Sequence, residues 1–408
     1  MKILMISQVF WPDTASVAQH MVDLAEKLRE NHHTIKVITS RNAYEDTSIK
    51  FLLKEEFKGI DIERLRHTAF GKRTVIGRLV DFFTFNCILC IKLITVKKNQ
   101  YDLIFGTTIP PLVSYIGVSI AKLKNIPFCY WTMDLQPELA IASKMIKENS
   151  ISAKVLSYLG HYSIKKSDLI FSLDKYMKSY LVERGADENK TFVLPIWPAM
   201  DKVYEEGRLK NPFRLKNDFM NKIVVMYSGN HAYVHPLDTL LQAAYDLKEN
   251  ENFLFVFIGG GVRKRDVTNF KSKNALKNIV QLPFEPRSNI YISLGAADIH
   301  AVIMGDKQVG FTHPNKIYGA MFIGKPVLYI GPTPSHISDI LERLNGNVWV
   351  DHGNADELVK QLLLFENLSE AERESIGNKN RQFAQQHFHP DVLKSEMVQI
   401  LENEMKLA

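Results

Sequence analysis

The chain contains 408 residues, which at roughly 150 residues per domain corresponds to two or three domains. Apolar residues make up 46% and charged residues 24% of the sequence, a globular composition that excludes a disordered or low-complexity chain. The net charge of +6 permits anionic partners such as nucleotide phosphates, but it is too small for a dedicated nucleic-acid binder with its dense basic patches.

Short apolar or β-branched runs alternate with amphipathic stretches through the first 200 residues. The run KILMIS (2–7) has the composition of a buried strand, and residues 16–31 carry apolar side chains at helical spacing. Further strands are predicted at 33–40, 101–107, 126–134, 167–173 and 191–196. Strands separated by helices in this way predict βαβ units and a parallel sheet.

From about Lys210 the same alternation starts again. Strands are predicted at 222–230, 253–261, 278–284, 296–304, 325–331 and 347–350, with a helix at 235–250. Residues 197–218 carry no strong period and are predicted to connect two domains, and a last helix is predicted at about 370–406. We therefore expect an α/β chain of two facing, doubly wound, Rossmann-like domains, 1–200 and 201–385, with 386–408 returning as a helix to the first.

One segment, residues 72–98, departs from the alternation because it is apolar on most faces. A membrane-spanning helix needs ~20 apolar residues, and charged and amide side chains interrupt this segment too often. Two interpretations stay open, a core helix of the first domain or a helix lying in a membrane interface. The second is favoured by the basic residues at both ends, Lys72, Arg73, Lys97 and Lys98.

The cysteines and the N-terminal run bear on localisation. An odd number of cysteines, Cys87, Cys90 and Cys129, is not a disulfide framework and favours a reducing cytoplasm, or its membrane face if 72–98 is interfacial. Cys87 and Cys90 are expected to be buried thiols on an apolar helix. The first apolar run meets Pro12 and is shorter than the core of a signal peptide, so we expect a strand there.

Two carboxylates follow the predicted strand 126–134, in the sequence MDLQPELA. Ligands of parallel sheets bind outside the carboxyl ends of the strands, so Asp134 and Glu138 are placed to orient substrate hydroxyl groups or to act as acid or base. The alternative is structural, with Asp134 capping the next helix and Glu138 in its first turn.

Two glycine-containing loops later in the chain supply candidates for anion binding. Glycine lets the backbone approach an anion, and helix N-termini offer unpaired N–H groups. The glycines at 259–261 do not match the dinucleotide fingerprint, and a solvated loop is the alternative for the basic residues that follow. The candidates in the two loops are Gly229, Asn230, His235, Gly260, Arg263 and Arg265.

The segment GFTHPNKIYGAMFIGKPVLYIG (310–331) predicts a loop, a helix that begins near Asn315 and ends at Gly324, and a strand. Lys316 falls in the first helical turn, where its charge opposes the helix dipole. A nucleotide diphosphate bound at that N-terminus would compensate the unfavourable charge. The alternative is that Lys316 points to solvent.

Taken together, these segments resemble the group 1 transferases, family 4 of the GT-B glycosyltransferases, in their bacterial exopolysaccharide and lipopolysaccharide branch. The resemblance runs nearly end to end and is most specific in LPFEPRSNIYISLGAADIHAVIM followed by HPNKIYGAMFIGKPVLYIGP. Earlier matching segments are WPDTASVAQHMVDLAEKLRENHHTIKVITS, MDLQPE, SDLIFSLDKYMKSYLVERGADENKTFVLPIW and YSGNHAYVHPLDTLLQAA.

The resemblance implies retaining transfer of a hexosyl or N-acetylhexosaminyl group from a nucleotide sugar, with a UDP-sugar preferred. The acceptor would be lipid-linked or an oligosaccharide in cell-surface polysaccharide synthesis. The C-terminal domain would bind the donor and the N-terminal domain the acceptor. No metal or other cofactor is implied, because cationic side chains and a helix N-terminus neutralise the leaving diphosphate.

The resemblance also assigns roles to individual positions. Asp134 and Glu138 would be catalytic, and Pro12, Asp13 and Thr14 would lie on the acceptor side. The donor-binding positions would be Ser16, Gly229, Asn230, His235, Gly260, Arg263, Arg265, Pro314, Asn315, Lys316, Tyr318 and Gly319.

The sequence departs from the family at several of its motifs. The paired glutamates would fall at Phe311 and Gly319, and the diphosphate-binding Arg and Lys near Asn230 and His235. The His that precedes the strand-end Asp is Met133. HPNKIYG resembles the PSKxYG of branch members without the glutamates, so Lys316 with Arg263 or Arg265 is expected to supply the positive charge.

Two alternative functions remain compatible with this architecture. The missing glutamates and cations support a non-catalytic subunit that binds a nucleotide sugar or a partner transferase. A sugar-nucleotide 2-epimerase has the same architecture, but it should carry several carboxylates and histidines around one substrate and would have no use for residues 72–98.

Overall fold

The computed structural model describes residues 1–71, 74–143, 145–198, 200 and 202–406. The chain divides into two compact units. Unit 1 contains Met1–Pro195, Gly310–His313 and the chain from Asp391 onward, and unit 2 contains Ile196–Val309 and Pro314–Pro390. The predicted boundaries at 200 and 385 each lie five residues from the observed ones, but the sequence carried no sign that 310–313 would group with the first unit.

Unit 1 is built on an eight-stranded sheet in which all strands except one edge strand run parallel, as predicted. The strand order is β3-β4-β2-β1-β5-β6-β7-β8. The antiparallel hairpin β3–β4 was not predicted, although Lys58 and Gly59, both at positive φ, form its two-residue turn. The strands are β1 Lys2–Ile6, β2 Thr34–Ser40, β3 Lys54–Phe57, β4 Ile60–Leu65, β5 Leu103–Gly106, β6 Phe128–Trp131, β7 Leu169–Ser172 and β8 Thr191–Val193.

The helices of unit 1 follow the strands as the βαβ pattern requires. The first covers the predicted range and buries Met21, Leu24 and Leu28, which fall on one face because they are three or four residues apart. The helices are α1 Ser16–Glu30, α2 Val75–Ile94, α3 Val113–Lys124, α4 Glu138–Ala142, α5 Ile151–Lys166 and α6 Lys175–Glu183.

Unit 2 contains a six-stranded parallel sheet in the order β11-β10-β9-β12-β13-β14. Counted within the unit, this is the 3-2-1-4-5-6 order of Rossmann folds, and β9 and β12 flank the point where the order reverses. The strands are β9 Ile223–Ser228, β10 Phe253–Ile258, β11 Ile279–Leu282, β12 Ile299–Ile303, β13 Val327–Ile330 and β14 Val348–Val350.

The segment 197–218, predicted to be a connection, is instead part of unit 2 and contains its first helix. Arg214 on this helix is fully buried and lies 3.0 Å from Asp298, which Arg208 also contacts at 3.2 Å. These ion pairs fix the segment beside the start of β12. The helices are α7 Pro212–Asn217, α8 Asp238–Asp246, α9 Lys264–Lys273, α10 Ile290–Gly295, α11 Lys316–Phe322, α12 His336–Leu341, α13 Ala355–Glu366 and α14 Glu370–His387.

The single C-terminal helix expected at about 370–406 is in fact two helices, α14 and α15 (Pro390–Lys406). The break falls at 388–389, because Pro390 has no N–H for helical bonding to the preceding turn. From Asp391 onward the chain belongs to unit 1. There Glu402 lies 2.9 Å from Nε2 of His33, and Glu404 pairs with Lys190.

Candidate active site

The most specific arrangement in unit 2 lies after β9, where Lys316 crosses Gly229. Gly229 has φ of +134°, and a Cβ there would lie 2.5 Å from Cε of Lys316. A side chain at position 229 would be strained at this φ and would displace the end of the Lys316 side chain. Nζ of Lys316 lies 4.9 Å from the centroid of the Tyr227 ring, within range of a cation–π contact. The predicted Gly229 and Lys316 are thus brought together. The sequence analysis missed Tyr227, whose ring lies against Lys316.

Two buried histidines accompany Lys316. Nδ1 of His235 lies 2.7 Å from the carbonyl oxygen of Ile303, and the backbone N–H of His231 donates to the carbonyl of Gly260 at 2.6 Å. Burial lowers the pKa of His231 to about 4, and the charge of Lys316 contributes to this. Burial and Lys316 also lower the pKa of His235. Both imidazoles are therefore neutral at pH 7, and Lys316 carries the positive charge.

The glycine loop after β10 packs closely on its neighbours. A Cβ at Gly259 would lie 2.2 Å from the carbonyl oxygen of Gly229, and one at Gly260 would lie 3.1 Å from the ring of Phe284. Phe284 is 55% exposed, so an aromatic ring is available beside the loop. Asn230 is exposed, and its carbonyl accepts a hydrogen bond from the Tyr227 hydroxyl at 2.8 Å.

The expected role of Arg263 is not supported by its surroundings. Its guanidinium pairs with Asp266 at 2.7 Å and with Asp238 at 3.0 Å. These carboxylates neutralise the charge that was expected to meet a diphosphate. Arg265 lies on α9 with an exposed side chain. Lys316, by contrast, lies against Gly229, directly after the end of β9.

The helix predicted around Lys316 is confirmed as α11, which begins at Lys316 after Asn315 and is followed by Gly324 at positive φ. Pro314, where unit 2 resumes, is buried. Tyr318 is 1% exposed and its ring lies 4.6 Å from that of Phe388. This burial argues against the predicted donor contact of the Tyr318 side chain. Gly319 has room for a side chain atom, because a Cβ there would lie at ordinary van der Waals distances of 3.6 Å from Met200 and 3.7 Å from Leu294.

In unit 1, Asp134 lies at the carboxyl end of β6 and is bound to the segment 310–313. The hydroxyl of Thr312 donates to Oδ1 of Asp134 at 2.7 Å, and the N–H of Leu135 donates to the carbonyl of Phe311 at 2.9 Å. Asp134 does not cap the following helix, whose N-cap is Pro137. The structural alternative for Asp134 is therefore wrong, and its half-buried carboxylate is positioned by Thr312 instead.

Glu138 is the first residue of α4 and accepts a hydrogen bond of 2.6 Å from the hydroxyl of Tyr180. Burial and the Glu138 carboxylate raise the pKa of Tyr180, so the phenol stays protonated and remains a donor. The ring of Phe311 packs edge-on against Tyr180 with centroids 4.8 Å apart. Where the resemblance would place a glutamate, an aromatic ring thus fixes the partner of Glu138.

A histidine–aspartate pair in unit 1 was missed by the sequence analysis. Nδ1 of His313 lies 2.7 Å from Oδ2 of Asp174, and both residues are buried. Asp174 also caps α6 by accepting from the N–H of Met177 at 2.8 Å. The signal was available, because Asp174 follows a predicted strand just as Asp134 does. A carboxylate that orients an imidazole is a common arrangement for proton transfer.

The loop after β1 carries the predicted acceptor-side residues. Pro12, Thr14 and Ser16 are exposed, and Ser16 begins α1. Asp13 has a structural task, because its two carboxylate oxygens accept from the N–H groups of Ala15 at 3.0 Å and of Tyr44 at 2.7 Å. Asp13 therefore connects this loop to the segment after β2.

Within the segment 72–98, Val75–Ile94 form α2, which has one buried and one exposed apolar face. Phe85, Leu89 and Leu93 are fully buried, so the helix is part of the core. Lys72 and Arg73 lie outside the described residues. No helix in the described part of the chain is long and apolar enough to cross a membrane. The exposed stripe of α2 consists of Ile76, Leu79, Phe83, Ile91 and Ile94, each more than half exposed.

The two cysteines of α2 differ from the prediction of buried thiols. Cys87 is exposed and Cys90 is half-buried, whereas Cys129 on β6 is buried. The prediction failed because α2 presents an apolar face to solvent, and Cys87 falls on it four residues after Phe83.

Comparison with known proteins agrees with these observations. The family model described as "Glycosyl transferases group 1" matches residues 210–383. The chain is similar to the "Probable glycosyltransferase WbjE" of Pseudomonas aeruginosa, with 21% identity over 81% of each chain. Its fold is similar to that of Anabaena Alr3699/HepE in complex with UDP and glucose, with a TM-score of 0.73 at 16% identity over 99% of this chain and 100% of that one. The structure of WaaG, a glycosyltransferase involved in lipopolysaccharide biosynthesis, matches with a TM-score of 0.70 at 13% identity over 96% and 98%.

The two Rossmann-like units and these structural matches place the chain in the GT-B fold class, as predicted. Within that class, residues 210–383 match the group 1 glycosyltransferases, and a curated glycosyltransferase is similar over 81% of the chain.

Proposed function

We propose that this glycosyltransferase moves a hexosyl or N-acetylhexosaminyl group from a UDP-sugar to a lipid-linked or oligosaccharide acceptor in cell-surface polysaccharide synthesis, with retention of configuration. The observation that carries the proposal is Lys316 lying over Gly229 at the carboxyl end of β9. This is the switch point of the unit 2 sheet, where Rossmann folds bind nucleotides. WbjE and WaaG, whose names refer to glycosyl transfer, support the reaction class.

The donor diphosphate would be neutralised by Lys316 without a metal. The lysine is held in place by Tyr227, and the neutral His231 and His235 add hydrogen-bonding capacity without charge repulsion. The charge that develops on the diphosphate as it leaves is stabilised by a fixed cation, which lowers the barrier directly. The exposed ring of Phe284 beside Gly260 offers a stacking surface for the nucleotide base.

Retention would follow from attack on the face that the diphosphate leaves. The acceptor oxygen forms a bond to the anomeric carbon, the bond from that carbon to the phosphate oxygen breaks, and the acceptor proton passes to the departing diphosphate. In this scheme the protein mainly positions the two substrates. Asp134 and Glu138 would orient the acceptor hydroxyl, and the imidazole of His313 is held by Asp174 for the same purpose.

Contact with the inner face of the cell membrane forms part of the proposal. The exposed stripe of α2 is apolar, and Lys97 and Lys98 beyond the end of the helix are exposed. Apolar side chains next to lysines suit an interface with anionic lipids, since burial of the stripe and attraction of the charges act together.

A panel of UDP-, GDP- and dTDP-sugars tests the donor assignment through thermal stabilisation, because a ligand that binds only the folded state raises its stability. Product analysis with acceptor extracts then distinguishes the functions. Transfer of the sugar with retained configuration supports the proposal, and release of a C2 epimer without an acceptor indicates a 2-epimerase. Binding without any turnover indicates a non-catalytic subunit, and preference for a GDP- or dTDP-sugar contradicts the UDP assignment.

A further inference from the structure

A small cavity in unit 1 lies beneath α2 and plays no part in the roles assigned above. It opens at the carboxyl ends of β1, β2 and β4, where Gln8, Ser40 and His67 line it. Helix α2 closes the other side with Arg78, Asp81 and Phe82. The volume is ≈ 30 Å³, and about 10–15 Å³ on this scale is enough for one water molecule. The cavity therefore suits a group of the size of phosphate and is too small for a complete sugar ring.

The cavity lining contains one cationic side chain, Arg78, and one carboxylate, Asp81. Both carboxylate oxygens of Asp81 accept backbone N–H groups, from Phe70 at 3.0 Å and from Gly71 at 2.8 Å, so the acidic side chain is turned to the backbone. The guanidinium of Arg78 lies 5.2 Å from the Phe82 ring centroid and bonds to the hydroxyl of Tyr44. A guanidinium has five N–H donors in a planar fork, so one bond to Tyr44 leaves donors for an anion.

A second, independent feature also indicates a polar ligand. Gln8 is 8% exposed, and its Oε1 has no hydrogen-bond partner among the described residues. A buried amide oxygen without a partner costs about 1–3 kcal/mol, so a ligand that donates to it would recover this energy. Nε2 of His67 lies 2.8 Å from the hydroxyl of Ser40, which keeps the ring fixed at the wall of the cavity.

The cavity lies next to the exposed stripe of α2, and Tyr44 in its wall is within electrostatic range of Asp134. Burial raises the pKa of Tyr44, and Asp134 is near enough to contribute to this. On α2, Arg78 and Phe82 face the cavity while Leu79 and Phe83, each one position further, are exposed. Successive helical residues point about 100° apart, so the cavity lies directly beside the exposed stripe.

We infer that this cavity binds the phosphate of an alkyl phosphate whose chain lies along the exposed stripe of α2, which rests on the proposed function and names its acceptor as lipid-phosphate-linked. Arg78 holds the phosphate, Gln8 accepts from its hydroxyl or from a neighbouring sugar hydroxyl, and the stripe covers the chain. A neutral oligosaccharide acceptor would use neither the charge nor the stripe.

Three probes separate the two parts of this site: inorganic phosphate, decyl phosphate and decyl glucoside, with affinities measured by calorimetry. The wild-type chain is expected to bind decyl phosphate more tightly than either of the others. Arg78→Gln should weaken decyl phosphate about tenfold or more, the effect of one charge-assisted hydrogen bond, and leave decyl glucoside unchanged. Phe83→Ser should weaken decyl phosphate binding and leave inorganic phosphate binding unchanged, because it removes part of the apolar surface only.

Arg66→Gln is the matched control, since Arg66 follows β4, is exposed and does not line the cavity. Equal decyl phosphate affinity of the Arg78 and Arg66 variants would overturn the inference, as would wild-type preference for decyl glucoside. If Arg78→Gln does not fold, Gln8→Met takes its place, and unchanged decyl phosphate affinity in that variant overturns the role of the cavity. UDP binding is measured in parallel. If decyl phosphate binding does not depend on Arg78 while UDP binding is intact, only this site is refuted. If decyl phosphate binding depends on Arg78 but UDP does not bind, only the donor proposal is refuted.

Discussion

Replacing Lys316 with methionine tests the donor site with little change in shape. Methionine keeps an unbranched stem over Gly229 and against Tyr227 but removes the charge. One charge-assisted hydrogen bond to phosphate is worth about 1.5–3 kcal/mol, so the Kd for UDP should rise about ten- to 150-fold. The cation–π contact with Tyr227 is lost as well, which should lower the free energy of unfolding by about 0.5–2 kcal/mol.

The assay is calorimetric titration with UDP at constant ionic strength, together with thermal unfolding. Lys277→Met is the matched control, because Lys277 is exposed and precedes β11, at the amino end of the sheet and away from Gly229. The histidine titration gives a readout that needs no ligand. Because Lys316 helps lower the pKa of His231 to about 4, this pKa should rise in the variant.

An unchanged UDP affinity in a folded Lys316→Met variant would remove Lys316 from the donor site. If Lys316→Met and Lys277→Met lose the same UDP affinity, the loss comes from the change in net charge and not from a contact of Lys316. If UDP affinity falls but the pKa of His231 does not move, the lysine acts from a position other than the one described here.

Turnover should survive complete chelation, because Lys316 rather than a metal is proposed to carry the charge; activity abolished by EDTA and restored by manganese or magnesium would contradict this. Burial lowers the pKa of His300 from 6.5 to about 4, so the unfolded chain binds the extra proton and stability falls as the pH drops from 6.5 towards 4. For one such group the loss is about 2 kcal/mol between pH 7 and pH 5, and denaturant titrations of wild type and His300→Asn with the same pH dependence would refute it. Leu79→Ser with Phe83→Ser should release the chain from phosphatidylglycerol vesicles without lowering the unfolding temperature, since both side chains are more than half exposed; retained vesicle binding by the folded variant would exclude a membrane role for the stripe.

The sequence alone was enough to predict the parallel sheets and their class. Strands such as β10, in which every residue is buried, read as continuous apolar runs because helices cover both faces of a parallel sheet. The start of α11 at Lys316 was equally readable, since the loop residues before it and Gly324 after it mark the ends of a helix. These features are local, so the identities of residues adjacent in the chain are enough to predict them.

Local patterns did not predict which face of α2 is buried, or which partners individual side chains contact. The apolar period of α2 continues around the helix, so only packing decided that Leu89 is buried and Phe83 exposed. Arg263 looked like an anion-binding cation until the fold placed Asp238, 25 residues away in sequence, at its guanidinium.

The candidate site depends most strongly on the tertiary structure. Asp134 meets Thr312 across 178 residues, and Asp174 meets His313 across 139. Lys316 meets Gly229 because the loops after β9 and β12 emerge at neighbouring strand ends. The sequence by itself determined which residues follow the strands. Strand order and register, which arise from contacts distant in the chain, decided which of these residues came together.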